Sequence, residues 1–297
     1  MENAKLTLYF IPSPFGLNWE SPSKLARTII INKYSFKPRF MGHVNIDIQF
    51  QNEQGEKEHI LTGMVASNLN AVPLLLKKKI GLGILWHSFP GRLETKEELI
   101  PELDNYKKTG KRINFMRWNI SHKAAQKLAD YYEHFKQNQI DKFYGLVNSP
   151  LHGEGSGCSA FGASFLSTAG LLDENFIKNC SMRVLAPMKY IGSPISNNQP
   201  NFIKLAMANA KWAQKDEEHK ELYFWDPDLM FKYTKNLAQN PSKDFKVIKE
   251  DNAIGIEYPL RKAREDDDIF FGDIQSRLPD IKKKSNLDYF EQVTRNN

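Results

Sequence analysis

The sequence predicts an α+β fold in which an antiparallel sheet packs against a helix that begins at a cysteine. Three observations predict it. The first third of the chain alternates apolar and polar residues with the period of strands. The middle switches to helical period. There, a glycine-rich loop runs directly into an apolar helix at Cys158. With 297 residues, 41% hydrophobic and 26% charged, the chain can build a core without disulfide or metal staples.

The elements come in this order. Residues 6–11 are a short apolar run that reads as a strand. Residues 28–32 are β-branched and read as a strand or a helix end. Residues 42–50 alternate: Val44, Ile46, Ile48 and Phe50 share one face, and His43, Asn45, Asp47 and Gln49 the other. The turn QNEQGEK and the returning EHILTGMVAS complete a hairpin. Residues 80–89 are expected as a third strand, closed by Pro90-Gly91. Residues 96–106 read as a charged helix and 112–120 as a strand. Ser121 then caps a helix whose apolar stripe is Ala124, Ala125, Leu128, Tyr132 and Phe135. The helix near Cys158 carries Phe161, Phe165, Leu166 and Ala169 on one side and stops at Gly170. In the final third, residues 203–214 and 228–239 are expected as helices, and 223–225 and 254–258 as strands.

Charge and cysteine usage narrow the function. The net charge of +6 favours anionic partners, including a membrane surface or an anionic polymer. The runs Lys77-Lys78-Lys79 and Lys282-Lys283-Lys284 read as solvated faces, and no nucleic-acid-binding motif is visible. Two cysteines, Cys158 and Cys180, make neither a disulfide framework nor a zinc site, though one bridge between them is open in an oxidising compartment. No apolar stretch approaches about 18 residues, so no membrane span is expected. The N terminus reads as a strand rather than a leader. Periplasmic or secreted placement, if a leader is removed, and cytoplasmic placement both stay open.

The chemistry concentrates in LHGEGSGCSAFGASFL, residues 151–166. A thiol at a helix start meets unpaired backbone N–H groups and the positive end of the helix dipole. Both stabilise a thiolate, and the same N–H groups stabilise an oxyanion formed by its attack on a carbonyl. Gly153, Gly155 and Gly157 let backbone approach a substrate closely. A thiolate needs a nearby base. His43, starting a strand on the polar face of the hairpin, is the candidate. Cys180, in FIKNCSMRVL, has none of these features and reads as structural.

GCSAFG resembles the cysteine motif of NlpC/P60 peptidases and of their circularly permuted relatives, the lecithin:retinol acyltransferase-like and YiiX-like proteins. GHVNIDI resembles the histidine strand of that superfamily, and the order here, His43 before Cys158, is that of the permuted branch. The resemblance covers about residues 42–170. It implies a papain-like catalytic domain over 1–195 and leaves 196–297 as a C-terminal extension, mostly helical, with a mobile polar tail. It also implies a third residue that orients the histidine. A hairpin centred near Gln54 sets His43 opposite Val65, which brings Ser67 and Asn68 to the right end of the sheet. Tyr144 is similar in place to an active-site tyrosine of these enzymes. His152 precedes Cys158 by the offset of the papain-type oxyanion glutamine. Gly157 stands where relatives often have Asp or Asn. With Glu154, these loop residues are the expected substrate or oxyanion group.

The expected activity is therefore that of a cysteine hydrolase attacking an amide or ester carbonyl through a thioacyl-enzyme. Its substrate would be a peptide, a cell-wall peptide of peptidoglycan type, or a lipid acyl group. No metal, cofactor or nucleic acid enters this chemistry, and the oligomeric state is left open. Two alternatives remain: an inactive papain-like binding scaffold, and a lipid acyltransferase of the same fold.

Overall fold

The computed structural model describes residues 3–34, 39, 41–69, 71–110 and 112–265. In chain order the elements are β1 (Ala4–Ile11), α1 (Pro22–Lys33), β2 (His43–Gln51), β3 (Lys57–Ala66), α2 (Ala71–Leu76), β4 (Phe89–Leu93), α3 (Lys96–Lys108), β5 (Asn114–Ile120) and α4 (His122–Gln137). They continue with β6 (Phe143–Tyr144), α5 (Cys158–Thr168), α6 (Glu174–Cys180), β7 (Ser181–Pro187), α7 (Phe202–Met207), β8 (His219–Trp225), α8 (Pro227–Gln239), β9 (Lys246–Glu250) and β10 (Ala253–Tyr258).

Eight strands form one mostly antiparallel sheet in the order β6-β4-β3-β2-β1-β5-β10-β9, and β7 pairs with β8 separately. The fold is thus α+β. The β2–β3 hairpin has the register its alternation predicts, with Asn45 opposite Gly63 and Gln49 opposite His59. Because strand side chains alternate, that register sends Val44, Ile46 and Ile48 into the main core with Leu6, Leu8 and Phe10 of β1. Helices α4 and α5 cover this face, and Tyr131, Phe135, Phe161 and Phe165 form a cluster of tilted and edge-on rings between them. The opposite face packs Tyr9, Ile11, Leu61 and Phe115 against Leu99 and Leu103 of α3.

Several expectations are corrected. The predicted strand over residues 80–89 is a buried 3-10 turn, Leu82–Trp86, and the strand starts only at Phe89 and runs through Pro90-Gly91. Pro90 has no N–H to give, but its carbonyl accepts the Ser67 amide at 2.8 Å. Of the two readings of residues 28–32, the helix end holds: they form the last turns of α1, where Ser21 caps the helix and Pro22 opens it. Here tertiary burial of Leu25 and Ala26 overrides strand propensity. The helix expected over 203–214 ends at Met207, because Arg27 of α1 captures the carbonyls of Ala206 and Ala208 at 2.5 and 2.8 Å. The boundary expected after residue 195 does not isolate the C-terminal segment. β10 pairs in parallel with β5 inside the main sheet, and among the described residues of this segment strands occupy about as much as helices do. The predicted polar tail lies outside the described residues, as does all of the acidic run at 265–268 except Glu265.

Candidate active site

Cys158 is the first residue of α5, and the preceding Gly157 provides no side-chain cap. The first N–H groups of the helix therefore have no side-chain acceptor at the N-cap position. A Cβ added at Gly162 would come within 2.8 Å of Val44 Cγ1, so the helix lies directly on β2. This close approach brings the helix start beside the start of the strand. Cys158 Sγ lies 3.8 Å from the Gly42 carbonyl oxygen, and the thiol and the ring of His43, the first residue of β2, act on each other electrostatically.

The other side of the imidazole meets a residue not expected from the sequence. His43 Nε2 is 2.6 Å from Glu94 Oε2. With Glu94 ionised, Nε2 carries the proton and donates it, which leaves Nδ1 for the thiol. Asn45 Nδ2 donates to the same oxygen at 3.2 Å, and Arg39 donates to Glu94 Oε1 at 2.5 Å. Arg39 is held in turn by a two-pronged contact to Glu102 of α3, at 2.6 Å through each nitrogen. Both carboxylate oxygens of Glu94 are therefore fixed.

Local sequence explains why Glu94 sits there. β4 pairs with β3 so that Leu93 faces Met64, and the Glu94 amide donates to the Gly63 carbonyl at 2.8 Å. Thr95 and Glu98 then form a reciprocal capping box that starts α3 and pins the corner. Thr62 Oγ1 donates to the Glu94 carbonyl at 3.0 Å. Gly63 is required by the cluster above it. An added Cβ would come 2.5 Å from Glu94 Oε2, 2.6 Å from Asn45 Nδ2 and 3.0 Å from His43 Nε2. Gly63→Ala is expected to cost about 1–3 kcal/mol from overpacking and to slow alkylation of Cys158. Thermal denaturation and iodoacetamide kinetics on the same sample check this, and wild-type behaviour in both would remove the crowding argument.

The electrostatics favour a thiolate–imidazolium pair. Burial opposes the Cys158 thiolate, but the His43 charge and hydrogen bond outweigh it, helped by Ser159 and Tyr144, and the thiol is lowered. Burial and the Arg39 charge oppose protonation of His43, yet Glu94 and the thiolate push it up to about 9. Burial works against ionised Glu94 too, but His43 and Arg39 hold it down to about 2. Each group's shift has its partners as the opposing cause, which is how a coupled charge line behaves. Cys180 contrasts with this: it is a free thiol, as is Cys158, and burial pushes it up.

The remaining expected residues divide. Tyr144 is brought in: its hydroxyl is 3.9 Å from Cys158 Sγ and also meets the Cys158 backbone. Ser156 N–H bonds the Phe143 carbonyl at 2.9 Å, folding the glycine loop onto β6 and holding Tyr144 in place. Gly157 packs on Gly145, whose carbonyl would meet an added Cβ at 3.0 Å, so an Asp or Asn there would be crowded. Glu154 organises the loop, its carboxylate accepting Ser149 N–H at 2.9 Å and its carbonyl accepting Asn148 Nδ2 at 2.7 Å. His152 sits half-buried in the short turn Pro150–His152. Ser67 and Asn68 are exposed, and the Ser67 hydroxyl turns away to the Pro90 carbonyl at 3.1 Å. The place against the His43 ring expected for them is occupied by Glu94, because β3 ends at Ala66 and the chain bends off the sheet.

Among the described residues no group of three His, Cys, Asp or Glu side chains gathers as a metal site, and no helix is long and apolar enough to cross a membrane. The chain matches no family model, no curated protein and no solved structure, so what this site does is read from its own geometry.

Proposed function

We propose that the protein is a cysteine hydrolase of papain-like architecture in permuted order, with Cys158 as nucleophile, His43 as general base and acid, and Glu94 as the residue that orients His43. One observation carries the reading: the imidazole is hydrogen-bonded to the carboxylate and electrostatically coupled to the thiol, with the thiol lowered and the imidazole raised. The sequence left the third place open, and that gap favoured an inactive scaffold. Glu94 fills it.

The chemistry follows from the positions. Cys158 thiolate attacks the carbonyl carbon of an amide or ester, and the carbonyl electrons move to oxygen. The Cys158 N–H, the Tyr144 hydroxyl and the Ser159 hydroxyl are among the groups near the sulfur able to donate to that oxyanion. As the tetrahedral adduct collapses, protonated His43 gives its proton to the departing amine or alkoxide, leaving a thioester. Neutral His43 then takes a proton from water as the water attacks. The second collapse releases the carboxylic acid and regenerates the thiolate. Peptide amides of cell-wall type are the first substrate class, with lipid acyl esters second.

The test is an electrophilic probe with a peptide-like recognition element, applied to native protein and mapped by mass spectrometry. Modification is expected at Cys158 and not at Cys180, and is lost in Cys158→Ala. Equal modification of the two thiols would sink the reading.

A further inference from the structure

We propose that the turn formed by α2 and Lys77–Lys79 docks the protein onto an anionic bilayer surface. No residue of α2, AVPLLL, is buried. Val72 and Leu76 are 45% and 49% exposed, although nothing prevents polar residues at such positions. Lys77, Lys78 and Lys79 come directly after, all exposed, and none of the ion pairs among the described residues involves them. Charge is segregated along the sequence as well. From His59 to Leu93 the chain has no Asp or Glu, although it carries 35 acidic residues in all.

The pairing of exposed apolar side chains with unpaired lysines selects the partner. An anionic polymer would use the lysines and leave Val72 and Leu76 in water. A bilayer with acidic headgroups uses both, the apolar side chains entering the headgroup region beneath the ammonium groups. The turn is held rigidly enough to act as a foot: Gly81 bridges to Ile191, and the Ile80 carbonyl accepts the Gly192 amide at 2.9 Å.

The turn also stands at the thiol's end of the sheet. Burial first, and then the Lys78 charge, disfavour protonation of His87. The His87 ring packs edge-on against Phe89 at 4.8 Å, Phe89 pairs with Tyr144, and Tyr144 touches Cys158. Docking by α2 therefore brings the nucleophile's side of the molecule toward the membrane. The docking does not depend on Cys158 being reactive, so it stands or falls separately from the hydrolase reading.

The experiment is co-sedimentation of the full chain with vesicles of phosphatidylcholine alone and of equal parts phosphatidylcholine and phosphatidylglycerol. Binding is expected to the mixed vesicles only. Each lysine near an acidic surface multiplies binding about fivefold, so Lys77→Glu/Lys78→Glu/Lys79→Glu is expected to weaken it at least about a hundredfold. Val72→Ser/Leu76→Ser is expected to weaken it as well. Reversal of Lys282, Lys283 and Lys284 to Glu makes the same change in net charge elsewhere and is expected to leave most binding intact. Circular dichroism confirms that each variant is folded. Equal loss in the two lysine triples would reduce the effect to net charge and overturn the site. Unchanged binding in the serine variant, or no binding to either vesicle, would overturn it also.

Discussion

His43→Ala is expected to slow alkylation of Cys158 by iodoacetamide at pH 6.5 at least about tenfold, while leaving Cys180 as unreactive as before. The magnitude follows from the thiolate fraction. An ordinary thiol with a pKa near 8.5 is only about 1% ionised at pH 6.5. Removing the imidazolium leaves burial as the leading influence on Cys158, and burial pushes ionisation lower still. Thiolates of low pKa are intrinsically weaker nucleophiles, which offsets part of the gain from ionisation and makes tenfold a lower bound. The pH profile carries a second signature. In the wild type the reactive thiolate is expected to persist below the ordinary thiol range, whereas in His43→Ala the rate climbs only as pH approaches and passes that range. Coincident profiles for the two proteins would show that the ring beside the sulfur has no chemical part.

Glu94→Gln is expected to reduce turnover on any amide or ester substrate by about 10²–10⁴-fold, the span associated with loss of a properly set general base. The amide keeps the size of the carboxylate and removes its charge. Glu94 raises the pKa of His43, so neutralising it lets His43 lose its proton at lower pH. The balance moves from thiolate with imidazolium toward thiol with neutral imidazole. Thiolate absorbance in the ultraviolet is therefore expected to fall at neutral pH, and the alkaline limb of the activity profile to move down. Gln also presents an N–H₂ group where Arg39 and Asn45 require an acceptor, so the variant disturbs ring orientation as well as charge. Glu94→Asp, which keeps the charge on a shorter stem, serves as the control and is expected to retain more activity. Turnover unchanged in Glu94→Gln would remove this residue from the mechanism.

How much of this was legible in the sequence depends on the range of the interactions. The β2–β3 register was legible because alternation, one turn and a central residue near Gln54 fix it locally. The start of α5 was legible because glycines, a cysteine and an apolar run are adjacent in sequence. Glu94 was hidden for a physical reason. It lies 51 residues from its partner, at the head of LETKEEL, where the neighbouring charges read as an ordinary solvated helix start. Only the register of β4 on β3 places it opposite Gly63, and that strand was misplaced by the apolar run GILW, which forms a buried 3-10 turn instead. Two faint signals were present: Glu94 is the first carboxylate after the acid-free stretch from His59, and it directly precedes a capping box. The C-terminal strands were visible as short apolar segments, but their partner was not. Parallel pairing of β10 with β5 is set by tertiary packing across more than a hundred residues.

That parallel pairing has a consequence for how the chain is made. Synthesis runs from the N terminus, so β5 emerges from the ribosome long before β10 does. During that interval β1 and β2 can already cradle α5, bringing His43 to Cys158, while β5 presents a bare row of amide and carbonyl groups to water or to a chaperone. His43 and Cys158 can thus come together on an unfinished sheet. The last strands to appear, β9 and β10, serve as its selvedge, closing against other nascent chains a margin that the first half of the molecule leaves open.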